Sequence, residues 1–363
     1  MLHRLDKYLL SQFFSILMLS LLGFLAVFLV VDLIENLDRF IDNGVPAQVT
    51  LTYYIYTMPW FVSVALPMSM LISTVFSVGM LVKRNEWTAM KSSGISLYRL
   101  SIPLLLTGLS ISMLSFLLEN QVVSYGNKKR YTIDRDYLKK KSRHKIKSSL
   151  KNIFLQKDMS VHIGLEKYDV KKMSGSVLTW VDLGQDIIRQ RIDAKKIKFE
   201  KESNFWKLTN YSIREFENGI EKNVYFSEKD TLINLRFTPE DINKQARSPD
   251  ELDYYELTSR IIDLKENGVK TLKWEVTRYL KVSFSLTNFI VVLCGIPLVV
   301  FREKNSLSFG IGMSVFVIFG YYAFIKFGQS MGFKGQLAPM LSAWLGNIVF
   351  FIGGIILLIK ARK

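Results

Sequence analysis

Apolar residues in this chain follow two kinds of pattern. Toward both ends they form long uncharged runs, whereas in the middle they alternate with polar residues. The run from Phe13 to Val31 contains no charged side chain. A helix of that length, at about 1.5 Å rise per residue, is about 28 Å long, close to the thickness of a bilayer's hydrocarbon core. The same test selects a segment ending at Val82, then Ser101 to Leu118, Val282 to Phe301, Asn305 to Ile325 and Gln336 to Ile359. Six membrane-spanning helices are predicted, three on each side of a long central segment.

Between Glu119 and Lys281 the apolar period changes to two, the signature of strands with one buried face. NIFLQ (152–156), SVHIGLE (160–166), SVLTWVDL (176–183), RQRIDAKKIKFE (189–200), NFWKLTNYSIREF (204–216) and KNVYFSE (222–228) follow in series. Met173-Ser174-Gly175, Glu202-Ser203-Asn204 and Glu217-Asn218-Gly219 supply turns, because Gly and Asn accept positive φ at little cost. Short strands at this spacing predict an all-β sandwich or roll. Helices are expected at 126–141 and 250–268, the second stopping at Asn267-Gly268. The predicted fold is an α-helical membrane protein of six spans, three plus three, with an inserted all-β domain. Its expected parts are 1–118 (spans one to three with a short helix near 84–94), 119–275 (β domain with flanking helices) and 276–363 (spans four to six).

Charge orients this arrangement. The net charge of +16 suggests a nucleic-acid partner only if its distribution is ignored. The short loops on one side carry Arg4, Lys7, Lys83, Arg84, Lys91, Arg99, Arg302, Lys304, Lys360, Arg362 and Lys363, against Asp6, Glu86 and Glu303. That bias marks a cytoplasmic side. The opposite loops hold Asp32, Glu35, Asp38 and Asp42 against Arg39, with Lys326 and Lys334 in the last. Both termini are therefore expected in the cytoplasm and the central segment outside, with no nucleic acid bound. The first apolar run is too long for a secretory signal and lacks a small-residue cleavage site, so it is expected to stay as a span.

Catalytic chemistry finds little support. No G-x-x-x-x-G-K-[ST] loop occurs, so ATP hydrolysis by this chain is not expected. His3, His144 and His162 are widely separated, with no H-E-x-x-H and no cysteine pair, so neither a metal nor another cofactor is expected. Ser160 and His162 share a strand face, an arrangement that ordinary alternation on a half-exposed strand explains without catalysis. Cys294, the single cysteine, excludes an intrachain disulfide and reads as a small apolar packing residue.

The stretch KRNEWTAMKSSGIS (83–96) is more than a connector. With Asn85 as cap, Glu86 falls in the first helical turn, where the macrodipole favours a carboxylate, and Trp87 and Met90 share a face. Gly94 supplies a left-handed stop. Such a helix suits either headgroups or a protein partner, and the residue pattern alone does not choose. Pro59, Pro67, Pro103, Pro297 and Pro339 lie in or beside spans, where neighbours tolerate them more often than they mark a moving kink. Gly310, Gly312, Gly353 and Gly354 are expected at close helix contacts, and Trp344 either packs in the sixth span or lines a cavity.

A resemblance favours the protein partner. ALPMSMLISTVFSVGMLVKRNEWTAMKSSGISLYRL (65–100), with its L-P followed by Arg84, Glu86, Ala89, Gly94 and Ser96, resembles the hallmark of the LptF/LptG permeases, membrane subunits of the lipopolysaccharide-exporting ABC transporter. LDKYLLSQF, IDAKKIKFEKESNFWKLTNYSIREFENG, GIPLVVFREKNSLSFGIGMS and GQLAPMLSAWLGNIVFF extend the similarity along nearly the whole chain. The resemblance implies an inner-membrane subunit whose β domain is a periplasmic jellyroll. It also implies four kinds of partner: a cytoplasmic LptB-like ATPase dimer, a second six-span permease of the family, periplasmic LptC/LptA-like jellyroll proteins, and lipopolysaccharide. Glu86 matches the coupling carboxylate facing the ATPase, with Arg84, Trp87, Ala89, Met90 and Gly94 around it. The family's basic residues after the first span are reduced here to Arg39 within VVDLIENLDRFIDNG, which weakens the expectation of phosphate capture there and leaves Arg39, with Trp344, as the bundle's lipid-binding candidates. Ile163, Leu178, Trp180 and Phe199, with Ile192, Ile197 and Leu208, face inward and line either a lipid groove or a dry core. A covered route is expected because each exposed lipid methylene costs about 0.8 kcal/mol. The rival expectation is a membrane-anchored periplasmic lipid-binding or assembly module without a transport cycle.

Overall fold

A computed structural model describes residues 4–138, 149–157, 160–170, 172–184, 187–200, 202–217, 219–239, 241–242, 248–266, 270–300 and 306–361. His3, His144 and the Asn267-Gly268 stop lie outside the described residues. The chain divides into two compact units. One takes in Met1–Lys141, Pro249–Ile262 and Lys270–Lys363, and the other Ser142–Ser248 with Asp263–Val269.

The helices are α1 (Arg4–Asp42), α2 (Ala47–Lys83), the short α3 (Glu86–Ser92), α4 (Leu97–Leu117), α5 (Ser124–Ile133), α6 (Tyr254–Glu266), α7 (Leu272–Val300), α8 (Ser306–Phe333) and α9 (Pro339–Lys360), all in the first unit except the last turn of α6 from Asp263. Six of its helical courses are long and apolar enough to cross a membrane, as the hydrophobic runs predict. α2 and α7 form the centre: 67% and 78% of their most apolar windows are buried, against 6% for α1. Small residues allow that closeness, since a Cβ on Gly295 of α7 would lie 2.9 Å from the Leu71 side chain of α2. Among the four glycines expected at helix contacts, Gly310 and Gly354 do face close side chains, while Gly312 and Gly353 face open space. A stronger contact went unpredicted: Gly328 and Gly332, a G-x-x-x-G pair on α8, lie directly against Ser342 of α9.

Several polar groups within the bundle bond across helices, where water is absent. The Tyr321 hydroxyl joins Thr287 and Asn347, and the Asn347 amide donates to the Ser283 carbonyl at 2.7 Å. Tyr322 donates to the Val64 carbonyl at 2.8 Å, on the turn that Pro67 loosens.

The expected domain borders at 118/119 and 275/276 both fall inside this helical unit. α4 runs on through a π-helical turn at Leu118–Val123, then α5, then a second such turn at Asp134–Leu138. Polar residues keep this extension docked: Asn127 donates to the Asp250 carbonyl at 3.1 Å, and Arg135 to the buried Glu251 carboxylate at 3.1 Å. Gly126 sits where a Cβ would press on the Tyr56 carbonyl of α2 at 2.5 Å. Hydropathy ends a span where the apolar side chains end; here the helix itself continues.

The second unit is an antiparallel sheet of β1 (Ser149–Lys157), β2 (Val161–Asp169), β3 (Ser174–Gly184), β4 (Ile187–Glu200), β5 (Phe205–Glu217), β6 (Ile220–Ser227) and β7 (Thr231–Ile233). β1 to β6 pair in chain order and β7 pairs with β5, a meander in which each connection is a local turn. Six of these strands follow the alternating runs closely; the three-residue β7 was not anticipated. Lys207 and Thr209 of β5 hold the Asp230 carboxylate at the start of β7, and these hydrogen bonds keep its pKa below the usual range. The pair's contribution is present above the unfolded carboxylate pKa and is lost as the pH falls through the lowered folded value.

One register feature shapes the whole sheet. Leu165, Leu178, Ala194 and Tyr211 are neighbours on the buried face of β2 to β5, and so are Tyr168, Gly175, Ile197 and Leu208 a little further along. Between the two rows each strand places two consecutive residues off that face: 166–167, 176–177, 195–196 and 209–210. All four strands skip together, so pairing stays in register while the pleat reverses along a crease. Val177 (φ 53°) and Asn210 (φ 51°) adopt left-handed backbone there, beside a cleft of about 480 Å³. Asn tolerates that conformation; a β-branched valine is strained by it.

Val177 is 51% exposed, so its removal gives up little packing. Val177→Gly is expected to stabilise the β unit by about 1 kcal/mol, within the range of strain held at such positions. Thermal unfolding of the full chain in detergent, followed by tryptophan fluorescence, checks the direction: a lower midpoint would contradict the strain argument.

Candidate functional site

The site is the α2–α3–α4 hairpin, and local chemistry accounts for each bend. α2 ends as Arg84 and Asn85 turn back, their amides bonded to the Met80 and Val82 carbonyls. Asn85 is left-handed (φ 60°) and stands at the start of α3, where its carbonyl accepts from Ala89 at 3.1 Å. Its side chain makes no capping hydrogen bond, contrary to the expected cap. The same residue must also stop α2, and the left-handed backbone that does so turns its amide away from the first amides of α3. Gly94 (φ 81°) ends α3 as expected. Gly94 bonds to Lys91 and Ile95 to Met90, both at 3.0 Å, the paired bonds of a Schellman stop. Ser96 then caps α4 by accepting from the Arg99 amide at 3.3 Å.

These three bends hold α3 as a short exposed shelf. Ala89 and Gly94 are exposed, Glu86 and Met90 are half-buried, and the Arg84 side chain is about half exposed. Trp87 is different: it is 5% exposed and packs with Val82, Leu97, Leu100 and the foot of α1. It secures the shelf from below. Glu86 has a neighbour that sequence reading missed, Tyr8 of α1. The Tyr8 hydroxyl donates to Glu86 Oε1 at 3.4 Å and accepts from Arg84 at 3.1 Å, while Arg84 stands 3.9 Å from the same carboxylate oxygen.

The residues expected to meet lipid are dispersed. Arg39 pairs with Asp134 at 3.1 Å and donates to Asn36 at 2.7 Å. Trp344 is half-buried in α9. Ile163, Leu178 and Trp180 are at most 4% exposed in the core of the β unit, beneath Leu235, Phe237 and Ile242. Two indoles pin that covering segment: Trp180 donates to the Leu235 carbonyl at 3.1 Å and Trp206 to the Phe237 carbonyl at 2.7 Å. Phe199 is half-buried against Trp206, their ring centres 5.1 Å apart.

A second polar cluster also escaped the sequence. Glu119 and Lys281, read as the first and last residues of the exported segment, meet inside the helical unit at 3.3 Å. Lys281 also donates to Ser124 at 3.0 Å, and Ser63 of α2 donates to the other Glu119 oxygen at 3.0 Å. The Lys281 side chain is 5% exposed. The only signal in the sequence was a single cation next to an apolar run, which reads equally well as a span border.

The profile of the family described as lipopolysaccharide export system permease LptF/LptG matches residues 7–360. The chain belongs to this family. Two curated relatives, each named lipopolysaccharide export system permease protein LptG, come from Escherichia coli strain K12 and from E. coli O6:H1 strain CFT073. Each is 19% identical over 359 residues, which cover 98% of this chain and 98% of the relative. Family membership and six apolar helices together make this an inner-membrane, multi-pass permease. Its β unit is the family's inserted domain, so the expected class of fold holds.

Breaking the Glu119–Lys281 pair tests how the bundle is held. Glu119→Gln leaves a buried ammonium without its counter-charge and is expected to destabilise the permease by about 3–5 kcal/mol, whereas Glu119→Leu with Lys281→Met restores most of the loss. Thermal aggregation in detergent, compared across wild type, single and double variants, reads this directly. A double variant no better than the single would remove the pair from the account.

Proposed function

We propose that this permease is one membrane subunit of an ABC transporter that extracts lipopolysaccharide from the inner membrane and passes it to a periplasmic jellyroll bridge toward the outer membrane. A separate LptB-like ATPase dimer drives it, a second six-span permease of the family completes the cavity, and LptC/LptA-like proteins continue the bridge. Both termini and the α3 shelf are cytoplasmic, and the β unit is periplasmic. The observation carrying this reading is the α3 shelf within a chain of this family: a short helix with a local chemical reason for each end, presenting Arg84, Glu86, Ala89 and Met90. The relatives' LptG name favours the LptG-like place in the pair.

Glu86 is the point of purchase. A half-buried carboxylate at a helix start presents a fixed negative charge that a partner cation can engage without reordering the backbone. It transmits force and has no part in ATP chemistry. Arg84, Ala89 and Gly94 shape the contact, while Trp87 transfers load into the core. On the periplasmic side, acyl chains gain access to Ile163, Leu178, Trp180 and Phe199 when the segment bearing Leu235 and Phe237 lifts, and Arg39 and Trp344 meet lipid at the bundle.

Purification of the chain in mild detergent is expected to bring down a soluble ATPase, a second six-span chain and lipopolysaccharide. Glu86→Lys should lower recovery of the ATPase by about tenfold, equivalent to about 1.4 kcal/mol, with membrane insertion unchanged. Undiminished recovery and export in that variant would reject the assignment of Glu86. A photo-crosslinking residue in place of Trp180 should label lipopolysaccharide during ATP turnover; labelling confined to protein would make the β interior a dry core throughout the cycle.

A further inference from the structure

The foot of α1 is tied to the first turn of α4, directly after the α3 shelf, by a charge clamp. Asp6 is 5% exposed, and its two carboxylate oxygens accept from the two terminal nitrogens of Arg99 at 3.0 and 2.9 Å. Arg99 is in the first turn of α4, three residues after the Ser96 cap. A helix N-terminus disfavours a cation, so the helix itself gives no reason for an arginine there; Asp6 does. A paired fork of this kind sets orientation as well as distance. Buried ion pairs add little net stability compared with apolar packing, so their main physical consequence is fixed geometry.

Above its foot α1 lies along α2, with Phe28 beside Phe61, and its far end is held by Phe40 against Tyr53 and Tyr54 and by Arg39 on Asp134. Leu9, Phe13 and Leu17 pack into the same core as Trp87, Leu97 and Leu100, within the first half of the helix. Beyond them α1 is largely uncovered: Leu19, Leu22, Val27, Val30, Ile34 and Ile41 are each more than half exposed. α1 is thus held at both ends with an exposed stretch between, and its lower hold is the base of the shelf. Tyr8 supplies a second tie through Arg84 and Glu86, but it shares the carboxylate that a partner would engage. Asp6–Arg99 shares nothing with that contact.

The geometry points to Asp6 and Arg99 as positioning residues that transmit movement of the α3 shelf to the first span, so that ATP-driven displacement of the shelf shifts the foot of α1 and changes the lipid-facing wall. This rests on the proposed docking of an ATPase at α3. When a partner cation takes Glu86, the Tyr8 tie weakens and the Asp6–Arg99 clamp carries the load alone. Rotation of α4's first turn then rotates α1 with it, because a bidentate pair resists twisting where a single contact does not.

The test uses the whole complex, this chain with its ATPase and second permease, in lipid nanodiscs. Lipopolysaccharide is the probe for release to an acceptor, and ATP hydrolysis is read with and without it. Asp6→Asn and Arg99→Gln are expected to reduce lipid release per ATP by about tenfold, a typical coupling free energy between sites, while ATPase recovery and basal hydrolysis stay at wild-type levels. Arg99→Lys, which keeps charge but loses the fork, should fall between, and the exchange Asp6→Arg with Arg99→Asp should recover release. Spin labels at Gly23 of α1 and Ser110 of α4 should show a nucleotide-dependent distance change in wild type that disappears in Asp6→Asn. Release and distance change both unaltered in the variants would overturn the clamp's role. So would a loss of assembly and hydrolysis in proportion to release, which is what a merely structural pair would give. A wild-type complex that fails to bind an ATPase would overturn the docking reading instead, so the two failures are distinct.

Discussion

Across about 30 Å of hydrocarbon a peptide group has no water to bond with, so each amide and carbonyl must be satisfied within the protein. That constraint makes the six spans helical and decides how they meet. Where two helices approach closely, glycine faces a neighbour, as Gly295 does toward α2 and Gly328 and Gly332 toward α9. Retained polar side chains either serve a second helix, as Asn347 does by donating to the Ser283 carbonyl, or fold back on their own turn, as Thr74 does on the Met70 carbonyl. The Glu119–Lys281 pair is the most demanding case, because each charge is tolerable there only in the presence of the other. The π-helical turn beginning at Leu118 belongs to the same arrangement, since it is the turn that carries Glu119.

The hairpin at the other end of these helices obeys different physics. It is bordered by exposed residues, so its shape comes from local backbone rules: left-handed Asn85, the Gly94 stop and the Ser96 cap follow one another over about three turns of chain. Such a unit is stiff without being large. Trp87 and the Asp6–Arg99 pair join it to the foot of the first span. A stiff surface element joined to the foot of a long helix is an economical way to turn a push at one membrane face into a displacement inside the membrane.

The β unit solves a separate problem. A meander of long strands tends to a gently twisted sheet, yet this one must close around Trp206, Tyr168 and Leu208. The coordinated skip across β2 to β5 creases the sheet without breaking its pairing, and the segment bearing Leu235 and Phe237 covers the enclosed face. Pairing in chain order leaves β1 and β6 as edges among the described strands, and the residues of β6 are nearly all exposed.

Hydrophobic periodicity by itself determined the six spans, the all-β insertion, six of the strands and the short helix between spans two and three. These are local consequences of side-chain period, and the Gly94 stop was legible because stops are local too, while the Ser96 cap was not anticipated. Even the crease left a trace, since Ile192, Ala194, Ile197 and Phe199 break strict alternation within β4. Only the tertiary structure decided which charges are partners. Asp6 and Arg99, Tyr8 and Glu86, and Glu119 and Lys281 are each separated by more than seventy residues, and no pattern along the chain encodes their meeting. For the same reason the helical course of the third span runs on past 118. Hydropathy registers where apolar side chains stop, but a helix continues as long as its polar residues find partners on another element, and those partners are brought together by folding alone.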